Sequence, residues 1–383
     1  MTRRLSLWLT GLALVLTVSS AMHAQAASVD ELIATIKSVD REGKGNVEAQ
    51  QAMRQLSRLD AAVFPKLLRS FGDASPLAAN WLRSAFETIA DRELKSGRSI
   101  SSDELEKFVL DRDQNARARR LAYEWLTKVD DDAVKRLMPS MLDDPSAEMR
   151  RDVVARLIDD AKALEAQEKK SEADDVYQKA LSGAVDGDQV KLIVDRLREF
   201  GHEIDLQRHF GFLPNWSMIG PFDNREKIGF AAVYPPETEL DLSAKYEGQL
   251  GPVTWTPLET DDDYGTVNIA DQISPYKGAV MYAATDFQSE RRQKIQLRLG
   301  TPNAWVLWIN GKRIFAREEY HRGTAMDQYR VPVVLKPGRN AILLKVCQNE
   351  QTQNWAQDYK FQLRLCDATG NAILPDDHPG DAK

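Results

Sequence analysis

The chain has 383 residues, 28% of them charged, 43% hydrophobic and 8% aromatic, which suits two or three globular domains and argues against disorder as the default. Its 51 Lys and Arg stand against 58 Asp and Glu, a formal charge of −7. An acidic balance of this kind gives no electrostatic reason to seek nucleic acid or anionic lipid.

In chain order, the first predicted element is a leader. "MTRR" supplies a positive start, Leu5 to Ala21 an apolar run, and Ala24-Gln25-Ala26 a small-residue cleavage motif. This pattern predicts a secretory signal peptide over 1–26 and export to the periplasm or the medium. Removing it leaves 49 basic residues against 58 acidic ones, a formal charge of −9. No later segment is long and apolar enough to span a bilayer, so no membrane insertion is expected after cleavage.

From residue 27 to 212 the pattern is helical. Ser28-Val-Asp-Glu31 and Ser101-Ser-Asp-Glu104 read as capping boxes. "GDASPLAANWLRSAF", "DRDQNARARRLAYEWL" and "DPSAEMRRDVVARL" form a degenerate internal repeat. Aligning Asp73, Asp113 and Asp144 superposes Ala78, Ala118 and Met149, then Leu82, Ala122 and Val153, then Phe86, Leu126 and Leu157. In the middle copy Ala118, Leu121, Ala122 and Trp125 make one helical stripe. Offsets of 40 and 31 residues suit a solenoid of helix pairs. Val190, Ile193, Val194 and Leu197 mark a further amphipathic helix, and 201–213 is apolar enough to dock rather than to serve as a free linker.

From residue 213 to 370 short β-rich runs alternate with Pro and Gly, which predicts an antiparallel sandwich. Asn310-Gly311 in "WVLWINGKRIF" marks a type I′ hairpin turn. Alternation puts Trp305, Leu307 and Ile309 on one face and Val306 and Trp308 on the other. Trp308 is expected in the core between sheets, with Trp305 on the opposite face under a protein cover. If "NAILLKVC" and "YKFQLRLC" pair as a hairpin, Cys347 and Cys366 lie too far apart for a disulfide, so free thiols are expected. The last stretch, 371–383, reads as a polar tail.

The Asp-x-x-Ala/Pro openings with Arg119-Arg120 and Arg150-Arg151 resemble HEAT-type repeats, and 171–184 resembles half of a TPR-like hairpin. Trp308-Ile-Asn-Gly311 followed by "DQYRVPVVLKPGRNAILLKV" resembles the galactose-binding-like jelly roll that accompanies many glycosidases. Signal peptide, helical repeats, sandwich and "GPFDN" together resemble secreted bacterial HEAT-repeat proteins. The resemblance implies an α-then-β architecture and a module class that includes sugar binders, protein binders and structural partners.

The chain carries no phosphate-binding loop, dinucleotide fingerprint, nucleophile elbow or H-E-x-x-H zinc motif, and its histidines lack metal-ligand spacing. The acidic run Glu259 to Asp263 offers calcium-type oxygen ligands but lacks the EF-hand register, so it reads as a solvated turn and no cofactor is assigned. The richest polar stretch is 317–329, which concentrates Tyr320, His321, Arg322 and Asp327 in one loop. With Trp355 in the neighbouring connection and Asp223 and Asn224 in "GPFDN", these side chains suit hydrogen bonding and stacking to a sugar. The expected function is therefore non-catalytic: a helical scaffold presenting a carbohydrate-binding-like sandwich to a glycan or an envelope protein. The alternative is a protein–protein assembly scaffold with no glycan ligand.

Overall fold

The computed structural model describes residues 27–375. The signal-peptide reading and residues 376–383, with His378, lie outside it. Helices occupy the chain to Phe210 and antiparallel strands follow, as expected for an α-then-β protein. The residues form two compact units, one ending at Asp131 and one beginning at Asp132.

The first unit contains α1 (Val29–Lys37), α2 (Asn46–Leu56), α3 (Phe64–Arg69), α4 (Pro76–Lys95), α5 (Ser102–Leu110) and α6 (Ala116–Val129). Ser28 and Glu31 exchange both bonds of a capping box at α1, and the Ser101 side chain accepts from Glu104 N at α5. Phe86 stacks on Phe64 at 4.0 Å and meets Trp125 edge-on at 6.2 Å. The second unit opens with α7 (Ala133–Leu137), α8 (Ala147–Ala166), α9 (Lys170–Gly183), α10 (Gly187–Glu199) and α11 (Leu206–Phe210).

The internal repeat has a structural counterpart. Helices α4, α6 and α8 are capped by Ser75, Asn115 and Ser146, each two residues beyond its aligned aspartate. Each cap accepts from backbone N–H groups of the first turn, which helix starts otherwise leave unpaired. All nine superposed apolar positions are buried.

The strands are β1 (Asn215–Asp223), β2 (Lys245–Gly248), β3 (Gly251–Thr254), β4 (Thr256–Glu259), β5 (Val267–Asn268), β6 (Ala279–Ser289), β7 (Gln293–Gly300), β8 (Ala304–Ile309), β9 (Lys312–Arg317), β10 (Tyr329–Leu335), β11 (Gly338–Gln348) and β12 (Lys360–Cys366). They form a six-stranded sheet in the order β4-β1-β6-β11-β8-β9 and a four-stranded sheet in the order β10-β7-β12-β5, with β2 and β3 as a separate ribbon. Leu297, Leu299, Val331, Phe361 and Leu363 of the smaller sheet share one core with Met218, Met281, Leu344 and Val346 of the larger. Asn310 and Gly311 both have positive φ, 52° and 74°, as a type I′ turn requires, and Ile309 pairs with Lys312 across it.

Trp305, Leu307 and Ile309 point into this inter-sheet core, with Trp305 stacked on Phe315 at 5.1 Å. Val306 and Trp308 lie on the outer face of the larger sheet instead. The expected assignment of the two tryptophans is thus reversed. The reason is the segment 224–256, a strap whose Phe230, Tyr234, Leu240, Tyr246, Val253 and Trp255 cover that outer face. A sheet covered on both sides has no polar face.

The hairpin reading of the cysteine strands also needs correction, because β11 and β12 belong to different sheets. Cys347 and Cys366 are free and buried, and burial pushes the Cys347 thiol up to about 12. The sandwich extends beyond residue 370: Ala372 bridges to Cys366, and Ile373 N donates to Leu365 O at 2.9 Å. Residues 211–213 run onto β12, where Leu213 N donates to Leu363 O at 3.0 Å. Among the described residues no helix is long and apolar enough to cross a membrane.

Candidate functional site

At the end of the larger sheet where β1 and β11 finish, three connections meet. They are the start of the strap after Asp223, the loop between β9 and β10, and the loop between β11 and β12. Asn224 is fully buried and its Nδ2 donates to Gln348 O at 2.9 Å and to the Tyr320 hydroxyl at 3.2 Å. Burial raises the Tyr320 phenol above its ordinary value, so it stays neutral. The Lys227 ammonium lies 5.4 Å from the Tyr320 ring centroid, within cation–π range.

His321 stands beside Tyr320 in the left-handed region, with φ of 57°. Its Nε2 is 2.7 Å from Asn349 Oδ1, and Asn349 Oδ1 also accepts from Gln351 N at 3.1 Å. An acceptor at that distance makes Nε2 the donor of this hydrogen bond. The Trp355 ring meets the His321 ring edge-on, at 5.2 Å and 87°.

Trp355 is 62% exposed, yet its mounting is firm. It sits on a single helical turn, Asn354–Ala356, whose last residue is fully buried. Lys277 Nζ and Gln348 Nε2 both donate to Ala356 O, at 2.8 and 3.2 Å, and Gln357 Nε2 closes the loop on Thr352 O and Gln353 O. The result is a flat, apolar, water-facing ring held by polar bonds beneath it and met edge-on by the His321 imidazole. Such a surface can stack on the apolar face of a ligand and hydrogen-bond its rim.

The sequence-based candidates thus divide. Asn224, Tyr320, His321 and Trp355 come together. Asp223 borders them, but both of its oxygens are held by Arg225, which keeps its carboxyl below the ordinary value. Arg322 is exposed and paired with Glu319 at 3.2 Å. Asp327 does not join the cluster. It lies on the outer face of the smaller sheet, where Arg364 grips it through Nε and Nη2 at 2.7 Å each and Arg298 through Nη1. Burial alone would raise the Asp327 carboxyl, but the two guanidiniums hold it below the ordinary value. In this arrangement both of its oxygens are engaged by the two arginines. Sequence reasoning missed Lys227 beside Tyr320 and Asn349 beside His321, although "DNREK" and "QNEQTQNW" continue the motifs it chose.

Two acids of the run Glu259 to Asp263 are engaged by protein groups. Asp263 pairs with Arg198 at 2.9 Å, and Asp262 accepts from Tyr264 N and Thr266 N at 3.0 Å each. Among the described residues no group of His, Cys, Asp and Glu is placed to hold a metal ion.

The strap reaches the site through Gly229. A Cβ there would lie 2.2 Å from Asp223 O, 2.8 Å from Val280 Cγ2 and 2.9 Å from Asn224 Oδ1. Gly229→Ala is expected to destabilise the second unit by about 1–3 kcal/mol through overpacking, read as a lower urea midpoint at unchanged slope.

No described family and no curated protein matches the chain. It is similar to a solved anti-sigma factor domain-containing protein at 11% identity and a TM-score of 0.25, covering 44% of this chain and 46% of that one. It is similar to a β-glucosidase from Kluyveromyces marxianus at 9% identity and a TM-score of 0.28, covering 40% of this chain and 17% of that one. For a β-glucuronidase from Ruminococcus gnavus the identity is 17% and the TM-score 0.24, over 40% and 27% of the two chains. The chain thus spans less than half the length of each, and likenesses of this grade carry no argument about what it does.

Proposed function

We propose that this chain is an exported, non-catalytic protein in which HEAT-like helical repeats carry a galactose-binding-like jelly roll that binds carbohydrate at its Trp355 end. The observation that carries the reading is Trp355 itself. Large apolar side chains on loops usually pack inward, whereas this one faces water on a braced turn edge-on to His321. A rigid aromatic with polar neighbours loses little entropy on stacking against a sugar ring. Export rests on the residues of 1–26, and the repeat assignment on the shared cap register of α4, α6 and α8.

Affinity electrophoresis of the full exported chain through gels containing polysaccharide tests the reading. The wild type is expected to be retarded by at least one polysaccharide. Trp355→Ala is expected to run freely, with an unchanged melting temperature because an exposed ring contributes little to the core. Equal retardation of both proteins removes Trp355 from the site. Free migration of the folded wild type in every gel favours the assembly-scaffold reading.

A further inference from the structure

We infer that the seam between the C-terminus of α9 and α11 is an acid-operated joint: protonation of His209 releases α11 from α9, while the His202–Asp174 pair keeps the preceding segment attached. The seam belongs to the second unit and is independent of the Trp355 site.

His209 Nε2 lies 2.9 Å from Ala184 O, at the cap of α9. A carbonyl only accepts, so Nε2 carries the hydrogen and Nδ1 is the basic nitrogen. The ring meets Phe210 edge-on at 5.1 Å, and Phe210 in turn stacks on Tyr264 at 6.0 Å. His202 and His209 line one cavity of about 450 Å³ with Leu181, Val185, Leu197 and Ile204.

Burial sets the sign at His209, and the Arg364 charge acts in the same direction. From β12, Arg364 faces it as a like charge, already committed to Asp327 and lying 5.7 Å from the Phe210 ring centroid. From α9 and its cap come the Ala184 carbonyl, Ser182 and Gln178, and from the C-terminal segment Asn371, all uncharged. On its own helix, Arg208 is adjacent and Asp205 is bound to Arg208 N at 2.8 Å. Among the described residues no carboxylate is placed against His209. Burial first, and Arg364 as well, hold its imidazole below the ordinary 6.5.

His202 has the opposite surroundings. Its Nε2 lies 2.8 and 2.9 Å from the two oxygens of Asp174 on α9, and this contact holds the Asp174 carboxyl below the ordinary 3.8. The consequences follow by linkage. An open seam lets His209 bind a proton near 6.5 while the closed seam resists it, so closure is complete above that value and weakens as pH falls through it. The opening constant rises by about tenfold per pH unit until the closed-state value is reached. The Asp174 tie persists above 3.8 and is lost only as pH falls through its own lowered value. Opening in the window between is therefore local to α11.

Hydrogen exchange of the full exported chain, corrected for intrinsic rates at pH 7.5 and 5.5, tests the joint, with NMR titration of the imidazoles alongside. The wild type is expected to lose protection across 206–213 on acidification while the sandwich strands keep theirs. His209→Gln, which retains an N–H donor for Ala184 O but does not titrate, is expected to give a flat profile. His202→Gln is expected to keep the acid response of 206–213. Identical pH profiles for wild type and His209→Gln overturn the proposal. If His209→Gln fails to fold, a His209 ring that titrates at or above 6.5 in the wild type overturns it equally.

Discussion

Replacing Asp327 by alanine is expected to cost about 3–5 kcal/mol, the usual penalty for removing one partner of a buried ion cluster. Arg364 and Arg298 are 1% and 5% exposed, and Asp327 is the carboxylate that both contact. Arg364 also donates Nη1 to Phe210 O and Gly370 O, at 2.9 and 3.1 Å, so the guanidinium joins β12, α11 and the C-terminal turn. With Asp327 gone, two guanidiniums remain in a site that water does not reach freely. Asp327→Asn keeps the shape but offers one acceptor oxygen and no charge, so an intermediate loss is expected. For a body of this size the alanine variant should melt roughly 10 °C lower. Because the Asp327 carboxyl is held below its ordinary 3.8, its contribution is present above that value and is lost as pH falls through the lowered one. A loss under about 1 kcal/mol in urea unfolding would show that the cluster is a bystander.

Lys345 is the second large effect. It is 1% exposed on the outer face of the larger sheet, and its ammonium donates to Ala232 O and Glu237 Oε1 at 2.7 Å and to Phe230 O at 3.3 Å. Glu237 also accepts from the Tyr282 hydroxyl, whose phenol burial keeps well above its ordinary value and therefore neutral. One ammonium thus fastens three points of the strap to the sheet. Lys345→Met is expected to cost about 3–5 kcal/mol, because it strands the Glu237 carboxylate and two carbonyls. Adding Glu237→Gln removes the stranded charge and keeps an acceptor for Tyr282, so the double variant should recover much of the loss. Limited proteolysis should then cut Lys345→Met first within 224–256. Additive losses in the double-mutant cycle would mean that the two side chains act independently.

The fold was legible where local chemistry decides it. Ser28 and Glu31, the aspartate-spaced helix starts and Asn310-Gly311 all specify backbone geometry through their own hydrogen bonds or positive φ. The faces of Trp305 and Trp308 were legible only as opposite. Both sides of β8 are apolar, and which side meets the other sheet depends on the strap returning from 224–256, which alternation within six residues does not encode.

The candidate site divides along the same line. Tyr320, His321, Asn224 and Trp355 were reachable by reasoning that loops at one end of a rigid sandwich converge. Asp327 shares their loop in sequence, but it takes a φ of 60° and its carboxylate meets arginines 29 and 37 positions away on β7 and β12. An arginine on a strand gives no sequence sign of the acid it will meet across a sheet.

The most direct test of the carbohydrate reading is a glycan array probed with the full chain and with its Trp355→Ala variant. The wild type should bind a chemically related set of glycans. The variant, equally folded, should bind the same set at least about thirtyfold more weakly, the loss expected when a central aromatic anchor worth about 2 kcal/mol is truncated. A folded wild type that binds no glycan, or a variant that binds them equally well, contradicts the account.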